Sequence, residues 1–254
     1  MYDFSYHRAG SVDDAVSKLR SAEDGTLVAG GMTLIPTLKQ RLAQPSDLID
    51  LSGIGDLAGI SVDGSAVTVG AMTTHATVAE SSDVKSAIPA LAHLASHIGD
   101  PAVRHRGTIG GSIANNDPAA DYPAACIGLG ATIVTSTREI AADDFFVGLF
   151  ETALEDEEII RAVRFPRPKR AAYMKFPNPA SRYALVGVFV AETDDGVRVA
   201  VTGAGQDGVF RVAEMEDALG KTFSPDAVAS IAVPDDDLNS DIHASAEYRA
   251  HLIT

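Results

Sequence analysis

Residues 107–121 read GTIGGSIANNDPAAD. The stretch holds three glycines, two asparagines, two aspartates and a proline, against two sizeable apolar side chains, Ile109 and Ile113. Folds are stabilised by burying apolar surface, and this segment gives a core little to bury. Its composition suits another task. Consecutive backbone N–H groups in a glycine turn make a nest for an anion, here with the hydroxyls of Thr108 and Ser112 on either side. Arg104 and Arg106 put positive charge just upstream. Downstream, Asn115, Asn116, Asp117 and Asp121 supply the donors and acceptors that a nucleotide requires. A plain solvent loop is the competing reading, but loops this long and polar inside a compact chain tend to carry function.

A second glycine pair stands in VAGGMTL, residues 28–34, where a strand pattern passes into a helix pattern. Free N–H groups at a helix start, with the dipole behind them, suit a phosphate. Glycine lets that backbone approach its ligand without a Cβ in the way. Two such loops converging on one ligand fit a diphosphate. A third motif, GAGQDG at 203–208, matches the dinucleotide fingerprint by letter. The strand before it, VRVAVT, is already the return arm of a hairpin, and no second buried strand follows, so it reads as a turn.

The whole chain narrows the possibilities further. Its 254 residues are 46% hydrophobic and 22% charged, enough for a real core divided over two or three domains. A net charge of −15 is the opposite of a nucleic-acid footprint. One cysteine, Cys126, leaves no internal disulfide and no self-contained iron–sulfur cluster or thiolate zinc site. Redox chemistry here requires a metal-free cofactor or metals held by another chain. No apolar run approaches the roughly 18 to 20 residues of a membrane span, and the N-terminus lacks the features of a secretory signal. The expected location is cytoplasmic.

Local patterns mix hairpins with helices, an α+β class. Ser11 caps an expected helix in SVDDAVSKLRSAEDG, and Pro36 falls in the first turn of a helix within 26–42. SDLIDLSGI reads as a short strand, 57–75 as a hairpin turning at Asp63-Gly64, and 83–99 as the clearest part of a helical region. A helix leads into a strand in YPAACIGLGATIVTS, and 157–166 is another strand. RFPRPKRAA, 164–172, marks a boundary, beyond which 184–203 forms a hairpin around Asp195-Gly196. Helical stretches follow near 211–219, 225–232 and at ASAEYRAHL. His93 and His97 share a helix face without a third ligand, so they read as a structural pair. His75, His105 and His243 are isolated. Tyr173 and Tyr183 suit either a cofactor cover or core packing, Cys126 reads as a small buried hydrophobe, and ETALEDEEII reads as a solvated acidic face.

AGGMTLIPTLKQRLAQPSDLIDLSGI, GAMTTHATV and IGDPAVRHRGTIGGSIANNDPAADYPAA closely resemble the FAD-binding medium subunit of the molybdenum hydroxylases, the xanthine dehydrogenase and carbon monoxide dehydrogenase family. Within it the carbon monoxide dehydrogenase medium subunit is the nearest likeness, and ASAEYRAHL resembles the start of the C-terminal signature. The resemblance implies an α+β fold with a two-part FAD-binding domain of the vanillyl-alcohol-oxidase-like (PCMH) type. Its parts are 1–56 and 57–166, followed by a C-terminal flavoprotein domain, 167–254, shorter than in the family. Carried over by position, Ala29, Gly30, Gly31, Met32, Thr33 and Leu34 form one pyrophosphate loop, and Thr108, Ile109, Gly110, Gly111 and Ser112 the other. Asn115 and Asp121 face the nucleotide or flavin, Ile49 lies near the adenine, and Lys175 lies by the isoalloxazine as the electrostatic, catalytic residue.

The implied partners are a large subunit with a molybdenum–pterin cofactor and a small subunit with two 2Fe–2S clusters, in a dimer of heterotrimers. The implied function is relay of electrons from those clusters through FAD to an external acceptor. Carbon monoxide, aldehydes, purines and nicotinate-like rings all fit as substrates of such a complex. Met32-Thr33 replaces the His-Ser often found in the family; methionine cannot tether a flavin, so the FAD is expected to be non-covalent. A stand-alone flavin oxidase or reductase is the alternative, and an interaction subunit without FAD a third, which the two intact glycine pairs oppose.

Overall fold

Three sheets of three or more strands succeed one another along the chain, with a separate two-stranded hairpin, in the computed structural model, which describes residues 1–254. The first is parallel, in the order β1 (Ser5–Arg8), β3 (Asp47–Asp50), β2 (Gly25–Val28). Parallel neighbours need crossovers, which α1 (Val12–Ser21) and α2 (Leu34–Lys39) supply. Ser11 caps α1 as expected, its Oγ accepting from the Asp14 N–H at 3.1 Å. Ala15, Ile49, Leu51, Ile54 and Leu57 close a small core beneath this sheet.

The second sheet opens with the expected hairpin, β4 (Ile60–Val62) and β5 (Ala66–Gly70). Asp63 Oδ1 accepts from the N–H groups of Ser65 and Ala66 at 2.7 and 2.8 Å, which fixes the turn. Six short helices follow: α3 (His75–Glu80), α4 (Ser82–Ala87), α5 (Pro89–Ser96), α6 (Pro101–Arg106), α7 (Ile109–Asn115) and α8 (Tyr122–Gly128). The helical region expected around 83–99 forms, with a break at Ile88 (φ −140°, ψ 77°) between α4 and α5. Pro89 causes the break, because the residue before a proline is driven out of the helical region. Next come β6 (Thr132–Thr135), β7 (Glu139–Ala141), α9 (Ala142–Phe145), a small hairpin of β8 (Phe146–Gly148) and β9 (Glu151–Thr152), and β10 (Ile160–Pro166). The antiparallel order is β4-β5-β10-β6-β7, so the last strand in sequence sits at the centre. Val163 of β10 lies between Val69 and Ile133.

The third sheet is β11 (Arg170–Pro177), β12 (Ala184–Thr193), β13 (Gly196–Thr202) and β14 (Phe210–Arg211), with α10 (Ala213–Lys221) and α11 (Ala246–Ile253) following in sequence. The hairpin at 195–196 forms as read, with Gly196 at φ +126°. The helix expected over 225–232 shrinks to one 3-10 turn, Pro225–Ala227. Val228, Ile231 and Val233 instead pack individually on the core, and Pro234 blocks a longer helix. GAGQDG is a turn: Gly205 bridges to Leu238, and the next element is the antiparallel β14.

The largest core joins the second and third sheets through α8. Tyr173, Phe189 and Ala200 belong to the same apolar cluster as Val69, Ile133 and Phe165. A Cβ on Gly128 would stand 2.7 Å from the Phe189 ring, so that glycine sets how closely α8 meets β12. Cys126 is fully buried in α8 and burial pushes its thiol up, which makes it inert packing. No helix is long and apolar enough to cross a membrane.

Candidate functional site

A cavity of about 490 Å³ opens between segments that flank the three sheets. Its wall takes residues from 26–34 and 51, from 71–75, 98–121 and 154–160, and from 181–183. The loop before α2 forms one side. Gly31 turns it at φ +72°, and the first helical bond is Ile35 N–H to Gly31 O at 3.0 Å. The N–H groups of Gly30, Gly31, Met32, Thr33 and Leu34 find no acceptor within the chain, and Thr33 makes no side-chain cap. Five successive donors therefore stand open beside a helix start, the arrangement that anions favour.

The second glycine loop differs from the sequence-based expectation. TIGG is the N-cap and first turn of α7, and three of its four N–H groups are engaged. Ile109 N–H donates to Thr73 O at 3.1 Å, Gly110 N–H to Ala71 O at 2.8 Å, and Gly111 N–H to the capping Thr108 Oγ1 at 3.2 Å. Ile109 and Ile113 are fully buried, so α7 contributes to the core after all. The glycines serve close packing. A Cβ on Gly110 would come 2.6 Å from Ala71 Cβ, and one on Gly30 would overlap the Arg106 carbonyl and reach 2.8 Å from Gly107 Cα. A Cβ on Gly111 would stand 3.6 Å from Ala29 Cβ. The two loops do converge, each needing glycine to admit its neighbours.

Asp121 lines the cavity from just before α8. It accepts from Tyr173 Oη at 2.5 Å and from Lys175 Nζ at 2.9 and 3.0 Å. Lys175 also donates to His97 O at 3.1 Å, and both charged side chains are only 4% exposed. Burial pushes the Asp121 carboxyl up, with the Lys175 charge and the Tyr173 hydroxyl opposing it. Lys175 is therefore no solvated lysine. It stands behind the wall and meets the cavity through Asp121. Thr202 Oγ1 holds the same segment from below, donating to Ala120 O at 2.6 Å.

Ala29, Gly30, Gly31, Met32, Thr33, Leu34, Thr108, Gly110, Gly111, Ser112, Asn115 and Asp121 all line the cavity. Ile49 and Ile109 do not: both lie in cores behind the loops they support. Tyr183 reaches the rim, whereas Tyr173 is buried against Asp121. Two wall residues escaped the sequence reading. His75 is 4% exposed, and its Nδ1 has no partner. Burial, assisted by the Arg104 charge, lowers it from 6.5 to about 4, which keeps the ring neutral. Glu158 came from the supposed acidic face, yet its carboxylate is 1% exposed. Burial pushes it up, but hydrogen bonds from Arg138, the Glu155 N–H, Thr135 and Thr137 outweigh that and hold it at about 2. It is a clamp on the wall. His93 and His97 lie ring to ring at 4.2 Å, and no group of three or more His, Cys, Asp or Glu is placed to hold a metal ion.

Residues 2–168 match the family model described as the FAD binding domain in molybdopterin dehydrogenase. The chain is 38% identical over 262 residues to the nicotine 6-hydroxylase medium subunit of Paenarthrobacter nicotinovorans, spanning 98% of this chain and 92% of that one. It is 37% identical over 269 residues to the carbon monoxide dehydrogenase medium chain of Hydrogenophaga pseudoflava, with the same coverage of each. The solved quinoline 2-oxidoreductase of Pseudomonas putida 86 superposes with a TM-score of 0.90 at 30% identity, over 99% of this chain and 93% of that one. The α+β fold and the family resemblance drawn from the motifs therefore hold. The near-equal likeness to subunits of enzymes with different substrates shows that what is shared is the subunit type. The chain belongs to the family of FAD-binding domains of the molybdopterin dehydrogenases, a flavoprotein component of oxidoreductases.

Proposed function

We propose that this chain binds FAD non-covalently in the three-sided cavity and relays electrons from iron–sulfur clusters of a partner subunit to an external acceptor. The observation that carries the proposal is the run of five unpartnered N–H groups from Gly30 to Leu34, set against the start of α7. Such a run fits a diphosphate, and the apolar wall around it, with Leu51, Ile98 and Ile160, fits the flat rings. Bound FAD supplies the exchange between one-electron and two-electron steps.

The chain's own residues hold and shield that cofactor. Thr108, Ser112 and Asn115 offer side-chain polar groups across from the first loop, and Tyr183 covers the rim. Ile49 and Ile109 keep the two loops in place from behind. Asp121 presents the Lys175–Tyr173 cluster to the cavity, so the lysine charge acts through the carboxylate. Met32 has no ring nitrogen or thiol to attach the cofactor. Residues from each of the proposed units, 1–56, 57–166 and 167–254, line the cavity, which suits a long ligand with chemically distinct parts.

With one cysteine, the chain needs its clusters in another subunit. The partners are a small subunit with two 2Fe–2S clusters and a large subunit with molybdenum–pterin, in a dimer of heterotrimers. Known relatives are themselves called medium subunits or medium chains. Dithionite should reduce the flavin of the isolated, loaded chain, whereas carbon monoxide, aldehydes and purines should not. Turnover of any of these by the isolated chain at roughly 1 to 1,000 per second would replace the relay with a stand-alone flavin oxidase.

A further inference from the structure

The β8–β9 hairpin leaves three apolar side chains more than half exposed. Val147, Leu149 and Phe150 are 54%, 53% and 58% exposed. Phe150 is held at φ +55°, a left-handed backbone that bulky side chains avoid. The hairpin joins no other sheet, and two strands alone are barely stable in water. It is nevertheless anchored. Asn116, only 2% exposed, donates from Nδ2 to Gly148 O at 2.9 Å and to Glu151 O at 2.8 Å, from the left-handed C-cap of α7. One side of the anchor is therefore the helix whose first turns line the cavity. On the other side the chain runs on to Leu154 and Glu158 of the cavity wall.

Strain kept at an exposed apolar tip, with a dedicated anchor, points to a contact that uses it. Charge narrows the partner. Along the segment, Asp143 pairs with Arg198, Glu155 and Glu158 with Arg138, and Glu157 with Arg20. Asp144, Glu151 and Asp156 are exposed and make no ion pair within the chain, so the segments that flank the tip in sequence carry uncompensated negative charge. A second copy would bring two such segments together on chains of net charge −15.

We infer that this hairpin is the docking tip for the cluster-bearing, electron-supplying subunit, seated in an apolar pocket rimmed by lysine or arginine. This rests on the relay function proposed above, because the donor must lie near the cavity. The chain should be co-expressed with the iron–sulfur and molybdenum subunits of its own complex, and its affinity for the purified iron–sulfur subunit measured. Phe150→Asp, which tolerates the same backbone, should weaken that affinity at least about 30-fold, as the loss of a central apolar anchor does. Its FAD content should not change. Phe150→Gly should raise the unfolding temperature of the isolated chain by relieving the strained backbone, yet weaken assembly about tenfold or more. A purely structural role would move both properties the same way. Unchanged affinity in Phe150→Asp overturns the inference, as does a wild-type homodimer that the variant disrupts. Failure of the wild-type chain to assemble with these subunits sinks the relay as well, while flavin content separately reports the cofactor site.

Discussion

Gly30→Ala is expected to yield a folded protein that binds FAD at least about 100-fold more weakly than the wild type. One methyl group is enough, because a Cβ at this position overlaps the Arg106 carbonyl and comes within 2.8 Å of Gly107 Cα. Backbone cannot rotate aside as a side chain can, so the first loop must move away from α7. Overpacking of this kind costs about 1–3 kcal/mol, and the shift also misaligns the donors of Gly30 to Leu34; each 1.4 kcal/mol or so lost from binding is about tenfold in affinity. The contrasting substitution is Gly220→Ala in α10, where a Cβ meets nothing within 4 Å. It should leave FAD affinity unchanged. Fluorescence titration of the apoprotein with FAD reads both. Wild-type affinity in Gly30→Ala would show that the convergence of the two loops is not what binds the cofactor.

Asp121→Asn and Lys175→Met should each destabilise the fold by about 3–5 kcal/mol, the cost of stranding one member of a buried ion pair. The two side chains are 4% exposed and 2.9 Å apart, with Tyr173 Oη and His97 O completing the cluster. Removing Lys175 leaves Asp121 with one donor in a buried site; removing the Asp121 charge leaves the ammonium with neutral acceptors only. The double variant should recover much of the loss, because neither charge then remains buried. Urea denaturation followed by circular dichroism gives the four stabilities of the cycle. Single variants within about 1 kcal/mol of wild type, the range of an exposed pair, would show that the cluster is solvated.

Features governed by neighbouring residues were legible in the sequence. Ser11 capping α1, Asp63 closing the β4–β5 turn and Gly196 turning β12 into β13 each depend on contacts within three residues. The first glycine loop was legible for the same reason. β10 at the centre of its sheet was not, because pairing with β5 and β6 is settled by remote apolar matches such as Val163 with Val69. TIGG looked like an open nest because nothing nearby in sequence shows that Ala71 O and Thr73 O take its donors. Glu158 was hidden among five acidic residues of ETALEDEEII, although only it is clamped by Arg138 through two hydrogen bonds. The family resemblance singles out Lys175, but its burial behind Asp121 is a tertiary fact. His75 looked isolated because its surroundings, Arg104 and Tyr122, come from other helices.

The most direct measurement of the central claim is acid precipitation of the chain after reconstitution with flavin, with the released cofactor identified by chromatography. Five open donors before α2, an apolar ring wall and no tethering residue at Met32 predict about one FAD per chain in the supernatant and a colourless pellet. Release of FMN, colour retained in the pellet, or no flavin bound after incubation with excess FAD would contradict the account.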